Sequence, residues 1–208
     1  LFSEGTRGSL SKFLIDNFNL SEGKDFQKYA IGLKEVWEIK EENFSEGLVE
    51  HSMGWPLSDG TNGGSFLYHF DKNLVSIGYV IHLNYTNPYA SPFDEFQQFK
   101  THPSVKKTLI GGKRLSYGAR AITTGGYQSV PKLNFPGGAL IGCSAGFLNY
   151  PKIKGTHNAM ESGMLAAEAI IDKKLSQDEN NDLENYQLKY ENSRIFKELK
   201  KVRNVKPY

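Results

Sequence analysis

The sequence predicts an α+β protein organised round an antiparallel sheet of four or more strands, and three observations predict it. Residues 64–70 and 74–83 are dense in aromatic and β-branched residues and are separated by Asp71-Lys72-Asn73, a hairpin turn by composition. Pro92 stands where it would open a helix. A short apolar run, Gly138 to Ile141, precedes a helical pattern rich in small residues from Thr156 to Lys174.

The elements follow in chain order. Residues 9–18 read as a short amphipathic helix with Leu10, Phe13, Leu14 and Phe18 on one face. Residues 29–39 and 47–55 alternate apolar and polar, as half-buried strands do. From Pro92 a helix carries Phe93, Phe96 and Phe99 inward; Pro103 interrupts it, and a second piece runs from Val105 to Ile110. A strand follows from Arg114 to Ile122. The buried run 138–141 leads through a glycine-spaced turn and a Pro-containing loop to the helix at Thr156, with Thr156 as N-cap. Ala159, Gly163, Ala166 and Ala167 are small enough to let that helix pack close to a sheet. Residues from Asp178 to Val202 read as one long charged helix.

Composition narrows the function classes. The 208 residues contain one cysteine, which excludes a disulfide framework, a Cys-based zinc site and any iron–sulfur cluster ligated within the chain. A formal charge of +2 is too mild to indicate nucleic-acid binding. No run approaches the ~18 apolar residues of a spanning helix, and no signal-peptide pattern is visible. The histidines His51, His69, His82 and His102 lack ligand spacing and read as hydrogen-bonded structural residues. The excess is in glycine, 21 residues including four Gly-Gly pairs, beginning at Gly63, Gly111, Gly125 and Gly137. Such pairs serve turns, or let a backbone or a ligand approach closely.

Gly142-Cys143-Ser144-Ala145-Gly146 fits G-x-S-x-G, the nucleophile elbow of serine hydrolases. That fold needs Ser, acid and His in this order and a helix directly after the serine. The only histidine after Ser144 is His157, no Asp or Glu lies between them, and Pro151 and Gly155 oppose an immediate helix. The motif is therefore disfavoured as a hydrolase site. The unpaired N–H groups at the start of the helix near Thr156 favour a phosphate or the electron-rich edge of a reduced flavin.

Six strings carry a resemblance: WEIK (37–40), GWPLSDGTNGGSFLYHF (54–70), NPYASPFDEFQQFKTHPSV (87–105), GGKRLSYGARAI (111–122), GGYQSVPKLNFPGGALIGCSAGFLNYPKIKGTHNAMESGMLAAEAI (125–170) and the closing VRNVKP. On these the chain resembles the electron transfer flavoprotein–ubiquinone oxidoreductase family over nearly its whole length. The resemblance implies an antiparallel-sheet quinone-binding domain packed on the C-terminal part of a Rossmann-like FAD-binding domain, with the N-terminal dinucleotide fingerprint missing. Its segments would be 1–25 (FAD domain), 26–122 (quinone-binding domain), 123–175 (FAD domain) and 176–208 (an amphipathic helix with possible membrane-surface contact).

It further implies an enzyme that passes electrons from electron transfer flavoprotein through FAD and a 4Fe-4S cluster to ubiquinone. The setting would be the matrix side of the mitochondrial inner membrane, or the inner face of a bacterial membrane. No G-x-G-x-x-G and no four-cysteine set occur here, so the pyrophosphate fingerprint and the cluster ligands are expected outside this chain. Carried over by position, the quinone-contacting glycines are Gly63 and Gly64, at a strand start where a side chain would block the ring. The flavin side would comprise Glu4 and Gly5, then Gly142, Cys143, Ser144 and Gly146, then Thr156, His157 and Asn158. Cys143 stands where related hydroxylases carry Asp. A non-catalytic quinone- or lipid-binding module is a rival consistent with the missing fingerprint.

From Lys189 to Lys206, seven basic residues face Glu191 and Glu198, an excess of five. With Leu183, Tyr186, Tyr190, Ile195, Leu199 and Val202 at helical spacing, this stretch suits either an anionic membrane interface or packing on its own domain. An acidic protein partner is a further use for the charge.

Overall fold

The computed structural model describes residues 1–58, 60–176 and 182–205. They divide into two compact units, one running from Tyr29 to Ala121 and the other joining Leu1–Lys28 to the chain from Ile122 onward. The C-terminal stretch groups with the second of these units.

Helix α1 (Ser9–Asn17) does not bury the face its apolar residues suggest. Leu10 and Phe13 are more than half exposed, whereas Ser11 is 2% exposed. The Glu4 carboxylate accepts hydrogen bonds from the Ser11 N–H (2.6 Å) and hydroxyl (2.7 Å), which fixes that face inward and satisfies the buried polar group. Leu14 and Ile15 join the core beside it, and Phe18 stacks on Phe135.

The Tyr29–Ala121 unit is built on a five-stranded sheet. Its strands are β1 (Tyr29–Glu38), β2 (Val49–Met53), β3 (Gly63–Phe70), β4 (Leu74–His82) and β5 (Lys113–Thr123), in the order β2-β3-β4-β1-β5. Neighbours β2-β3, β3-β4 and β4-β1 pair antiparallel. The β3-β4 hairpin turns on Asp71 (φ 51°) and Asn73 (φ 57°), residue types that tolerate the left-handed region. Along β3, Ser65, Leu67 and His69 alternate inward.

Helices α2 (Pro92–Phe99) and α3 (Pro103–Leu109) supply the other half of this core. The Ser91 hydroxyl caps α2 by accepting from the Asp94 N–H at 3.3 Å, and Pro92 takes the first helical position. Phe96 and Phe99 are buried against Ile77, Tyr79 and Ile81. Phe93 is 57% exposed, contrary to the sequence pattern, because it sits in the first turn, off the sheet-facing stripe.

Glu35 lies on the inward face of β1, only 3% exposed. Its carboxylate accepts from Lys100 Nζ (3.0 and 2.8 Å), Arg114 Nη1 (3.1 Å) and Trp37 Nε1 (2.7 Å). Burial alone would raise this carboxyl, but the bonds from Lys100 and Trp37 and the charges around it hold it below the ordinary range.

In the other unit, β6 (Asn134–Phe135) and β7 (Gly138–Ala139) form a minimal hairpin turned by Gly137 at φ 83°. The strand expected over 138–141 thus has two ladder residues, and Leu140 continues it as a parallel bridge to Phe2. Helix α4 (Thr156–Leu175) buries Asn158, Ser162, Ala166 and Ala169 at helical spacing, while Ala167 is exposed. Gly155, not Thr156, is its N-cap, and no side chain caps it.

The single long C-terminal helix of the sequence reading is two helices, α5 (Glu184–Asn192) and α6 (Arg194–Lys201); residues 178–181 of that reading, and Lys206, lie outside the described residues. The break is at Ser193 (ψ 169°), whose hydroxyl donates to Tyr190 O at 2.6 Å and accepts from Phe196 N–H at 3.3 Å. Tyr186, Tyr190, Ile195 and Leu199 are buried in the unit's core, so the apolar face that might have met a membrane is already covered. Ser193→Ala is expected to lower stability by about 1 kcal/mol in denaturant melts, with Ser193→Thr recovering most of it.

Candidate functional site

Gly63 and Gly64 open β3, opposite Ile81 and Met53 respectively. Gly54 N–H donates to Gly63 O (3.3 Å), and the Tyr79 hydroxyl donates to Gly54 O (2.8 Å). Burial pushes the Tyr79 hydroxyl up to about 12, so it remains a donor across the physiological range. A Cβ at Gly63 would lie 2.4 Å from Leu57 Cδ1 and 2.6 Å from Val80 O; one at Gly64 would lie 2.6 Å from Ser52 O. The space denied to side chains is filled by the unit's own atoms. Strand packing by itself therefore requires glycine at both positions.

Beside this end of β3 lies a cavity of about 220 Å³, which sequence reasoning missed. Buried Leu67, Phe99 and Val105 line it together with Met53, Trp55 and His102, and with the polar side chains of Glu50 and His51. The Ser52 and Ser65 hydroxyls meet within it at 2.6 Å. Their register follows from the β2-β3 pairing, which no local motif announces.

The flavin-side residues of the other unit are partly assembled. Gly5 N–H donates to Ser144 Oγ at 3.1 Å, and that hydroxyl donates back to Gly5 O at 3.3 Å. Chain crossings at Phe2 N–H to Ala139 O (2.8 Å) and Ile141 N–H to Phe2 O (3.0 Å) bring the two segments together. Gly5, Gly142 and Gly146 have φ of 82°, 61° and 82°, and nothing lies within 4 Å of where a Gly5 side chain would begin. Gly142 N–H donates to Ser162 Oγ on α4 (2.9 Å), joining the turn to the helix.

Glu4 faces away from that turn, toward Ser11, whose hydroxyl and N–H lower its pKa. Cys143 is half-buried in a 3₁₀ turn, Gly142–Ser144. Thr156 is exposed at the first turn of α4. His157 Nε2 pairs with Glu198 Oε1 at 3.0 Å, and Asn158 Nδ2 donates to Phe147 O at 2.9 Å. The His157 ring and the Asn158 amide nitrogen are thus engaged within the fold. Burial would raise the Glu198 carboxyl, yet hydrogen bonds from His157 and Asn149 hold it below the ordinary range. Asn158 Oδ1 remains buried without a hydrogen-bond partner among the described residues.

Ser144 is not a hydrolase nucleophile by this geometry. Its hydroxyl is engaged with Gly5 in both directions, and His157 is paired elsewhere.

A family model described as "ETF-QO, ubiquinone-binding" matches residues 29–122, nearly the bounds of the sheet unit. Across the whole chain, the human mitochondrial electron transfer flavoprotein–ubiquinone oxidoreductase is 52% identical over 214 residues. The chain belongs to the electron transfer flavoprotein–ubiquinone oxidoreductase family. The Caenorhabditis elegans member is 52% identical over 213 residues, and a probable Saccharomyces cerevisiae member 48% over 225; both are matched by all of this chain. The chain spans about a third of these relatives, 35% of the human protein and 36% of the yeast one.

Among solved structures, the halogenase PltM is similar at TM-score 0.54 and 15% identity, over 87% of this chain and 38% of that one. A triple mutant of the flavin-dependent brominase Bmp2 is similar at TM-score 0.52 and 16% identity, over 96% and 54%. These likenesses show a shared fold. Among the described residues of this family member, no helix is long and apolar enough to cross a membrane.

Proposed function

We propose that the Tyr29–Ala121 unit binds ubiquinone near the Gly63–Gly64 end of β3, and that the other unit supplies part of an FAD site. The intact protein would then pass electrons from electron transfer flavoprotein to ubiquinone. The observation that carries this reading is the coincidence of the ubiquinone-binding family match, 29–122, with a unit that is compact by its own contacts.

The residues present fit a flavin at the second site. Three left-handed glycines keep the backbone of the Gly5 and Gly142–Gly146 turns free of side chains. The first turn of α4 offers N–H groups that no side chain caps, and Asn158 Oδ1 is an orphaned buried acceptor beside them. When bound there, FAD would supply electron transfer. The chain's own part is to hold the two turns together through Gly5 and Ser144, and to present the positive end of the α4 dipole to an anionic group. Thr156, His157 and Asn158 would contribute backbone N–H groups, and Asn158 adds its unpartnered Oδ1. The 4Fe-4S cluster of the family reading would require ligands from other residues, because this chain has one cysteine.

A location on the matrix side of the inner mitochondrial membrane accords with the relatives' mitochondrial names. The exposed Lys197, Lys200 and Lys201 would meet anionic lipid or an acidic partner electrostatically, without insertion of the helix.

Equilibrium dialysis of the chain with a short-tailed ubiquinone analogue tests the quinone reading. Saturable binding at micromolar concentration is expected; linear, non-saturable partition would overturn it.

A further inference from the structure

The outward face of α4 carries an apolar seam that neither ligand assignment uses. Four small residues of this helix, Ala159, Gly163, Ala166 and Ala167, suit close packing, yet only two of them meet it within the chain. Ala166 is fully buried, and Ala159 lies 3.4 Å from where a Gly142 side chain would begin. Gly163 and Ala167 point elsewhere. Ala167 is exposed, and apart from the helix backbone and chain neighbours no described atom lies within 4 Å of where a Gly163 side chain would begin.

Large apolar side chains stand beside them: Met160, Met164, Ile171 and Leu175 are 67%, 63%, 55% and 78% exposed. Steps of four, three, four and four residues along Met160, Met164, Ala167, Ile171 and Leu175 keep all five on one side of the helix. Single exposed apolar residues are ordinary on a surface, whereas a continuous row marks a contact face. The three acidic residues of α4 are already committed. Glu161 pairs with Arg194 at 2.8 Å, and Asp172 and Glu168 pair with Lys189 at 3.0 and 3.5 Å.

The spacing selects the kind of partner. A row that steps by three and four residues is the seam of one helix against another, with large side chains entering the spaces of the facing helix. Gly163 and Ala167, four residues apart, form a depression that lets a second helix approach closely. The length of the relatives selects the source. This chain matches 35% of the human protein, so about two thirds of that polypeptide lies outside the match. A segment tethered in the same polypeptide reaches an effective concentration in the millimolar range, above that of a free partner or a second copy.

We infer that the α4 face receives an amphipathic helix of the same polypeptide, contributed by the part of the intact protein outside these 208 residues. The inference needs neither the quinone nor the flavin assignment.

The chain's three methionines make the test direct, because Met160 and Met164 lie on the seam and Met53 lies in the sheet unit. Peroxide converts accessible methionine to the sulfoxide, and peptide mass spectrometry reads each site separately. The 208-residue chain and the intact protein are treated in parallel, with added N-acetylmethionine calibrating the dose. In the chain, Met160 and Met164 should oxidise within about threefold of the free compound; in the intact protein they should oxidise at least fivefold more slowly than in the chain. Gly163→Leu supplies a second readout. In the chain it puts a better helix former into open space, so the melting temperature should hold or rise. In the intact protein the new side chain fills the depression, so the melting temperature should fall and the protection of Met160 and Met164 should be lost.

Equal oxidation in the two proteins would overturn the inference, and flavin retained by that intact protein would leave the flavin reading standing. Protection in the chain that grows with its concentration, with a dimer in light scattering, would assign the face to a second copy. Protection of the chain by vesicles of phosphatidylcholine and phosphatidylglycerol would assign it to lipid. Either result would overturn the inference, as would protection in the intact protein that Gly163→Leu leaves unchanged.

Discussion

Glu35→Gln is expected to destabilise the sheet unit by about 3–5 kcal/mol, the range for breaking a buried charge pair on one side. Lys100, whose side chain is 12% exposed, would then keep its charge with no carboxylate to meet it, and its two bonds to Glu35 would fall to at most one, to a neutral amide oxygen. Arg114, 45% exposed, would return to water at little cost. Denaturant melts followed by Trp37 fluorescence are a direct measure, because Trp37 Nε1 donates to the same carboxylate. A loss below 1 kcal/mol would show that the network is weak.

The same residue sets a pH dependence. Its carboxyl sits below the ordinary 4.5, so the stabilisation is present above that value and is lost as pH falls from 4.5 through the folded-state value. The difference between wild type and Glu35→Gln should therefore shrink in acid. A difference that stayed constant from neutral to strongly acidic pH would contradict the assignment.

Gly64→Val should cost about 3 kcal/mol, the upper end for forcing atoms into a filled space. The obstacle at 2.6 Å is Ser52 O, a backbone atom of the paired strand, which moves only if β2 leaves β3. Gly64→Ala should show most of the same loss, since the first added carbon already meets the carbonyl. Melts of the two variants against wild type are the check, and an Ala variant of unchanged stability would refute the packing account. A fall in quinone binding in these variants thus has to be read with their stability.

Much of the fold was legible because local chemistry states it. The aromatic and β-branched runs around Asp71 to Asn73 made a hairpin, and Ser91-Pro92 opened a helix, since turns and caps depend on residues a few positions apart. Ser193 was the harder case. It sits inside an unbroken helical pattern, and its hydroxyl ends one helix and caps the next only when Tyr190 is drawn into the core.

The site divides the same way. Gly5 and the Gly142–Gly146 turn are each expected on the flavin side, and they meet through Ser144. His157 and Asn158 were placed at the right helix end, but their partners, Glu198 and Phe147 O, lie 41 and 11 residues away. Glu35 carried a readable signal, as it falls on the inward phase of the alternation Ile31, Leu33, Glu35, Trp37.

What the sequence by itself determined is the family, the antiparallel sheet, and the positions where glycine, proline and capping residues constrain the chain. Those are properties of short segments, and they survive without knowledge of neighbours. The tertiary structure alone decided that the Gly63–Gly64 backbone is crowded by its own sheet, that the C-terminal apolar face is already buried, and that the Ser52 and Ser65 hydroxyls meet across β2 and β3. Each of these depends on which distant atoms arrive at a few ångströms, and strand register and helix docking fix that only when the whole unit closes.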